Sequence, residues 1–135
     1  MKISILISSY NKGGYIKECI ESCLMQEEKN FEIILFDNFS NDETNKILSI
    51  FEDKIKIYKS EKVSKFPALN QIDLLLKAFN ISTGEIICLL DADDYFAKNK
   101  IKRVRNFFVN NNEKDILFDL PFIKEKEKLK KFSLK

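Results

Sequence analysis

Residues 86–94 read IICLLDADD, an apolar run that ends in three carboxylates within four positions. Side-chain packing alone does not explain this pattern, because neighbouring carboxylates repel each other and raise one another's pKa. A divalent cation offsets that repulsion, and oxygen ligands select a hard ion such as Mg²⁺ or Mn²⁺. The segment therefore predicts a buried strand followed by a metal site at Asp91, Asp93 and Asp94. A solvated acidic turn that caps the next helix is the open alternative.

Apolar runs and amphipathic segments alternate along the rest of the chain. Strands are expected in the apolar runs at residues 3–8, 31–36, 54–60 and 85–90, of which the third should be more exposed. Helices are expected where apolar residues recur at helical spacing, near residues 14–26, 40–51, 69–83 and 101–108. Strands that alternate with helices indicate βαβ units, so the predicted fold class is α/β with a mostly parallel sheet.

Local signals set several boundaries. Ser40 followed by Glu43 fits a capping box, so a helix should begin there. Gly84 should close the third predicted helix. A last short strand is expected at residues 116–118, and the Lys/Glu-rich sequence from Glu125 onward is typical of a frayed or weakly helical end.

Composition excludes several classes of protein. The chain has 135 residues, enough for one domain with its own core. It contains no histidine, which excludes His-based triads and His-ligated zinc. Cys19, Cys23 and Cys88 lack CxxC spacing and are expected to be buried reduced thiols of a cytoplasmic protein. No apolar run approaches the ~20 residues that span a bilayer.

The charge is unevenly distributed. Residues 98–135 carry 12 basic and 5 acidic side chains, although the net charge of the whole chain is only +2. This basic end could contact an anionic surface at the inner face of a membrane, or it could simply be solvated. A nucleic-acid partner is not expected.

Three polar loops should meet at one edge of the sheet. Residues 8–14, 37–42 and 91–94 each follow a predicted strand. The carboxyl ends of parallel strands share an edge, and ligands of open α/β sheets bind there. The sequence lacks both the G-x-G-x-x-G and the P-loop patterns, which argues against an NAD enzyme and a P-loop NTPase.

The loops offer candidate ligand contacts. The ring of Tyr10 can stack on a nucleobase while Ser8 hydrogen-bonds its edge. Asp37 and Asn38 are placed to meet a base or a ribose, unless they form an Asx-turn that satisfies its own backbone. Lys65 could contact a diphosphate as a flexible point charge, or it could remain solvated.

Four segments in this order resemble the inverting GT-A glycosyltransferases of family 2. They read ISILISSYNK (residues 3–12), YIKECIESCLMQ (15–26), FDNFSNDET (36–44) and TGEIICLLDADD (83–94). The last two are similar to the family's D-D-x-S-x-D-x-T turn and its G-E-Y-I-x-x-L-D-A-D-D signature. The resemblance covers about residues 2–97, and the combination of motifs in sequence order makes it specific.

The resemblance implies a GT-A (Rossmann-like) fold and a glycosyltransferase that uses a Mn²⁺ or Mg²⁺ ion. The expected reaction transfers a sugar, with inversion, from a nucleotide-diphosphate sugar to an acceptor hydroxyl. A UDP-sugar is the favoured donor and a saccharide or a lipid-linked molecule the acceptor. Cell-surface polysaccharide synthesis is the implied role.

The positions that match the family's motifs form two groups. Those expected to face the base and the ribose are Ser8, Tyr10, Asp37 and Asn38. Those expected to contact the ribose and the metal ion are Asp91, Asp93 and, as a further ligand, Asp94.

The chain departs from the family pattern in three places. Asn38 stands where the family's turn has a second acidic residue, although an amide can also pair with uracil or another base. Residues 70–84 are longer than the family's usual helix there. The family's acceptor-binding half, with its base carboxylate, follows the metal motif, and no motif marks Asp115 or Asp119 as that base.

We therefore expect a donor-binding half truncated after the D-x-D region. Residues 1–97 would form its nucleotide-sugar-binding part, and residues 98–135 a helix, a short strand and a basic tail of the same domain. The catalytic base stays unidentified, and the basic tail could fill the exposed sheet edge or pair with a second copy of the chain. A non-catalytic nucleotide-sugar-binding or interaction module is the alternative. A haloacid-dehalogenase-like phosphatase is disfavoured because only 41 residues follow Asp94.

Overall fold

Four parallel strands form the centre of the molecule. The computed structural model describes residues 1–119, 121–125 and 128–131. The strands are β1 (Ile3–Ser9), β2 (Phe31–Asp37), β3 (Lys56–Lys59) and β4 (Ile86–Asp91). They lie in the order β3-β2-β1-β4, and every neighbouring pair is parallel. The predicted α/β class and parallel sheet are confirmed, and β3 is mostly exposed as expected.

Helices connect these strands and cover both faces of the sheet. They are α1 (Ile16–Leu24), α2 (Thr44–Leu48), α3 (Pro67–Asn80) and α4 (Lys100–Asn110). A single 3-10 turn, Ser49–Phe51, continues α2. All four predicted helices are therefore present. No helix within the described ranges has the length and apolar composition needed to cross a membrane.

The central strand β1 is buried at all seven positions because it is covered on both faces. Ile3, Ile5 and Ile7 belong to a core cluster that includes residues of α1, α2 and α4. Leu6 belongs to a second cluster on the other face, together with Leu74 of α3. Burial of each such apolar side chain contributes about 1.5–3 kcal/mol to the free energy of unfolding. The predicted burial of Cys19, Cys23 and Cys88 as free thiols is confirmed.

The register of the strands places three loops at one edge of the sheet. Ser9 at the end of β1 pairs with Asp37 at the end of β2. Ser8 pairs with Asp91, the last residue of β4. The loops that follow these strands therefore leave the sheet at the same edge, which confirms the predicted convergence.

The helix that was expected to end at Gly84 ends earlier, at Asn80. Gly84 instead lies against the start of β1, where its amide donates a hydrogen bond to Ser4 Oγ at 2.9 Å. A Cβ atom at this position would lie 2.5 Å from the Ser4 nitrogen. The glycine therefore permits a close approach of two backbones, and its expected role as a helix terminator was wrong.

The capping box expected between Ser40 and Glu43 does not form among the described residues. Helix α2 begins at Thr44, whose amide donates to Asp42 Oδ1 at 2.9 Å. The other oxygen of Asp42 accepts a hydrogen bond from the Gly13 amide at 3.0 Å. Asp42 thus stabilises the N-terminus of α2 and connects it to the loop after β1. The amide and hydroxyl of Ser40 instead donate hydrogen bonds to the Asp37 carboxylate.

The region after α4 differs from its prediction. Residues 116–118 form neither helix nor strand. Two strands follow instead, β5 (Phe122–Glu125) and β6 (Lys128–Lys131), which pair antiparallel as a separate hairpin. The weakly helical end expected from Glu125 onward is therefore wrong at Lys128–Lys131, because four residues are too few for periodicity to separate strand from helix. Residues 126–127 and 132–135 lie outside the described residues.

Glu32, near the start of β2, contacts three other segments at the edge of the sheet opposite the three loops. Its carboxylate accepts hydrogen bonds from Lys56 Nζ (2.8 Å), Ser4 Oγ (2.8 Å) and both the amide and the hydroxyl of Thr83 (2.8 and 2.7 Å). Burial acts to raise the pKa of Glu32. The hydrogen bonds outweigh it and hold that pKa well below its usual range.

A depressed carboxylate pKa in the folded protein makes the free energy of unfolding decrease as the pH is lowered. The contribution of Glu32 is complete above the pKa of the unfolded chain and is lost as the pH falls towards the folded value. We expect the wild type to lose about 1–2 kcal/mol more unfolding free energy than Glu32→Gln between about pH 6 and about pH 3. Urea unfolding followed by circular dichroism measures this, and parallel pH profiles for the two proteins would contradict it.

Candidate functional site

A cleft of about 540 Å³ opens at the edge of the sheet where the three loops meet. The loops after β1, β2 and β4 line it together with the loop before α3 and the first turns of that helix. The predicted site residues that line it are Ser8, Tyr10, Asn38, Lys65, Asp91 and Asp93. Asp37 and Asp94 are not among the lining residues. The structure thus brings together six of the eight predicted residues.

Asp37 lies beneath the cleft and is completely buried. Its carboxylate accepts hydrogen bonds from the amide of Ser40 (2.8 Å) and from the hydroxyl of Ser40 (2.6 Å). The side chain shapes its own loop, as in the Asx-turn alternative, but it accepts the amide three residues on rather than two. Phe39, inside the turn, has a φ of 49°. Asp37 therefore fixes the path of the loop that carries Asn38, and its contact with a base or ribose stays a prediction.

The side chain of Asn38 lines the cleft but has no partner. It is 2% exposed, and neither Nδ2 nor Oδ1 forms a hydrogen bond with any described residue. Its backbone amide donates to the Ser9 carbonyl at 2.9 Å, so the position is fixed. A buried polar group without a partner costs about 1–3 kcal/mol. The Asn38 amide therefore offers one donor and one acceptor without a described partner at the cleft.

The ring of Tyr10 is 41% exposed at the cleft. Lys62 Nζ lies 3.7 Å from the centroid of that ring. Lys62 and Lys65 belong to the loop between β3 and α3, and the Asn70 side chain holds this loop. Asn70 Oδ1 accepts the amides of Val63 and Ser64 at 3.0 and 2.9 Å. Asn70 thus fixes the backbone of the loop that carries Lys62 and Lys65, which both line the cleft.

The carboxylates after β4 have different partners. Asp91 Oδ1 accepts a hydrogen bond from Gln71 Nε2 at 2.7 Å. Asp93 Oδ2 lies 2.5 Å from the Lys12 ammonium, which lowers the pKa of Asp93. Burial, and then the charges of Asp91 and Asp93, raise the pKa of Asp94. Negative charge is therefore crowded at this end of the cleft.

The donor set of this region decides whether it suits a divalent ion. Among the described residues, no group of three or more His, Cys, Asp or Glu side chains is gathered for a metal. Asp91 and Asp93 nevertheless supply two hard carboxylates in an open cleft. Mg²⁺ and similar ions are commonly held by one or two carboxylates plus substrate phosphates and water. The residues thus fit an ion completed by a ligand, and ligation by Asp94 stays a prediction.

Sequence reasoning missed several residues of the cleft. Lys12, Lys62 and Gln71 each contact a predicted site residue, but lone polar positions in loops and helix ends carry no spacing signal. Ser9 also lines the cleft, and its buried hydroxyl has no partner in the part of the chain that the structure describes. Its position at the last residue of β1 was the available signal.

Comparisons with known proteins bear on the family and the fold of this chain. The sequence model described as Glycosyl transferase family 2 matches residues 4–135. The chain belongs to glycosyltransferase family 2. An uncharacterised glycosyltransferase of Nostoc sp. is 30% identical over 132 residues, which cover 95% of this chain and 39% of that protein. One from Rickettsia felis is 36% identical over 111 residues, covering 82% of this chain and 18% of that protein.

Several solved structures share the fold of this family 2 chain. Staphylococcus aureus TarS superposes with a TM-score of 0.71 at 28% identity, covering 83% of this chain and 20% of TarS. Residues 1–349 of TarS in complex with UDP give a TM-score of 0.67 at 27% identity, covering 83% and 33%. The Pyrobaculum calidifontis mannosyltransferase PcManGT, in complex with GDP-Man and Mn²⁺, gives 0.66 at 19% identity, covering 79% and 32%, and shows the fold alone. The predicted GT-A fold is confirmed. The family 2 chain spans 16–43% of the length of the curated relatives it matches.

Proposed function

We propose that this chain binds the nucleotide-diphosphate-sugar donor of a metal-dependent glycosyl transfer. The observation that carries the proposal is the buried, unpartnered amide of Asn38 in the cleft. Its Nδ2 and Oδ1 match the O4 acceptor and N3–H donor of uracil, so that two hydrogen bonds would form on binding. A UDP-sugar is therefore the favoured donor, and TarS structures in complex with UDP and UDP-GlcNAc support this choice.

The base would stack on the exposed ring of Tyr10. Lys62 covers this ring in the structure and has to move aside. A cation–π contact at an exposed site contributes about 0.5–1 kcal/mol. Stacking of a base on an aromatic ring contributes about 1–3 kcal/mol. The exchange therefore favours the base, and it releases the Lys62 ammonium close to the diphosphate.

The diphosphate would lie between the lysines and the carboxylates of the cleft. Lys65 offers a flexible positive charge, while Asp91 and Asp93 would hold a Mg²⁺ or Mn²⁺ ion. When bound, the ion supplies neutralisation of the charge on the departing diphosphate. Gln71 keeps Asp91 oriented towards this end of the cleft through its 2.7 Å hydrogen bond.

Transfer with inversion requires a base for the acceptor hydroxyl. The hydroxyl oxygen would bond to the anomeric carbon from the face opposite the diphosphate, whose bond to that carbon breaks. Asp115 and Asp119 do not line the cleft, and Asp119 is paired with Lys100 at 2.5 Å. The same proposal includes a saccharide or lipid-linked acceptor. It also includes contact of the basic segment with a membrane and pairing with a second copy of the chain.

One observation favours a second candidate function. Among the cleft residues that the structure describes, the acidic side chains are Asp91 and Asp93, and both are assigned to the donor and its ion. A chain without a further carboxylate in the cleft could bind a nucleotide sugar as a non-catalytic module. Such a module would bind the donor without transferring or hydrolysing it.

Isothermal titration with UDP-sugars tests both proposals. We expect saturable binding in Mn²⁺ that becomes at least about tenfold weaker in EDTA, because the ion links the carboxylates to the diphosphate. ADP, which lacks the uracil edge, serves as the control. No binding of any nucleotide sugar with or without Mn²⁺ would overturn donor binding. Release of UDP over time would distinguish the enzyme from the module.

A further inference from the structure

We propose that Lys12 is an internal cation that pairs with a carboxylate of the metal position before the donor binds and moves to the diphosphate when it does. This inference rests on the proposed function. Lys12 Nζ lies 2.5 Å from Asp93 Oδ2, and both side chains line the cleft. The ammonium therefore sits on the carboxylate that a divalent ion would need.

The backbone of Lys12 is fixed, so that only its side chain can move. Its amide donates to Thr44 Oγ1 at 2.9 Å. Its carbonyl accepts hydrogen bonds from the amides of Tyr15 (2.9 Å) and Ile16 (2.8 Å) at the start of α1. The four-carbon stem is flexible, and its ammonium is a point charge that suits either a carboxylate or a phosphate.

The pair of Lys12 and Asp93 is weak enough to exchange. The two side chains are 35% and 43% exposed. A pair with this exposure stabilises the paired state by no more than about fivefold. This ion pair offsets the negative charge of Asp93 before a ligand binds. A divalent ion together with a diphosphate can displace it.

Lys12 and a metal ion cannot share Asp93 without repulsion. Positive charges a few ångströms apart oppose each other even in water. Asp91 is held by the neutral amide of Gln71, so Asp93 is the carboxylate with a competing cation. The arrangement therefore disfavours metal binding to the free protein. It favours joint binding of metal and donor, because the diphosphate offers the displaced ammonium a new partner.

The variant Lys12→Gln tests this exchange in the 135-residue chain. Mn²⁺ binding without nucleotide, followed by electron paramagnetic resonance, should become about fivefold to tenfold tighter, because the competing charge is gone. UDP binding in saturating Mn²⁺ should become about fivefold weaker, because the diphosphate loses one of its cations. Lys12→Arg, which keeps the charge, should bind Mn²⁺ like the wild type.

Lys17→Gln is the matched control. Lys17 lies on α1, is 64% exposed and is 4.0 Å from Glu21, so the control removes the same charge away from the cleft. Both affinities should stay at the wild-type values. Thermal unfolding of each variant shows that the fold is retained.

The signs of the two changes decide the outcome. Equal Mn²⁺ affinities of Lys12→Gln and the wild type would overturn the proposal, and so would a joint weakening of Mn²⁺ and UDP, which indicates a purely structural role. If no variant binds a nucleotide, donor binding fails. The Mn²⁺ titration without nucleotide then still decides whether Lys12 competes for Asp93.

Discussion

Asp93→Asn is expected to weaken binding of a UDP-sugar in Mn²⁺ by on the order of 100-fold, through loss of a metal ligand and of its charge. Asp93 lines the cleft, and its carboxylate is paired with Lys12. The substitution keeps the size of the side chain. It breaks a half-exposed ion pair that contributes at most about 1 kcal/mol to folding.

The same titration in EDTA separates the metal effect from others. Without Mn²⁺, Asp93→Asn should bind the nucleotide sugar at least as tightly as the wild type, because the substitution removes a negative charge beside the diphosphate and frees Lys12. Asp53→Asn, an exposed position in the turn after the 3-10 segment, removes the same charge and should behave as wild type in both conditions. An undiminished Mn²⁺ dependence in Asp93→Asn would show that the ion is held elsewhere.

Asn38→Leu is expected to weaken UDP binding by about 10- to 100-fold, because two hydrogen bonds to the base are lost. The variant should be as stable as the wild type or up to about 1 kcal/mol more stable, because leucine has no buried polar atoms to leave unpaired. Calorimetric titration with UDP and thermal unfolding measure the two effects. A destabilised variant with unchanged UDP affinity would show that the amide serves the fold.

A modified ligand strengthens this experiment. UDP methylated at uracil N3 lacks the donor that Asn38 Oδ1 would accept, so it should bind the wild type weakly and lose little further affinity in Asn38→Leu. Asn41→Leu makes the same change at an exposed position of the same turn and should leave UDP affinity unchanged. If methylated UDP binds the wild type as well as UDP, the base lies outside reach of Asn38.

The location of the cleft could be predicted because it follows from local patterns. Apolar runs that alternate with helical periodicity indicate a parallel sheet, and parallel strands bring their carboxyl ends together. This reasoning placed Tyr10, Asn38 and Asp93 at one edge, and the structure shows all three in one cleft. Strand register then fixes the spacing, because Ser8 pairs directly with Asp91.

The partners of these side chains could not be predicted in the same way. Asp37 is the last residue of a strand as Asp91 is, yet its carboxylate is buried and accepts hydrogen bonds from the hydroxyl and amide of Ser40. Gly84 follows the helix predicted at residues 69–83, where a terminator is expected, yet it is required by the close approach of Ser4. In both cases the local sequence allows two roles, and contact with another segment selects one of them.

The order of strands and helices, the buried faces and the polar edge of this family 2 domain are determined by the sequence itself, since each depends on residue spacing within one segment. Only the tertiary structure decides that Lys12 rests on Asp93, that Lys62 covers Tyr10 and that the Asn38 amide has no described partner. Lys12 and Asp93 are 81 positions apart. Their contact depends on the paths of two loops and the rotamers of two side chains, which spacing along the chain does not encode.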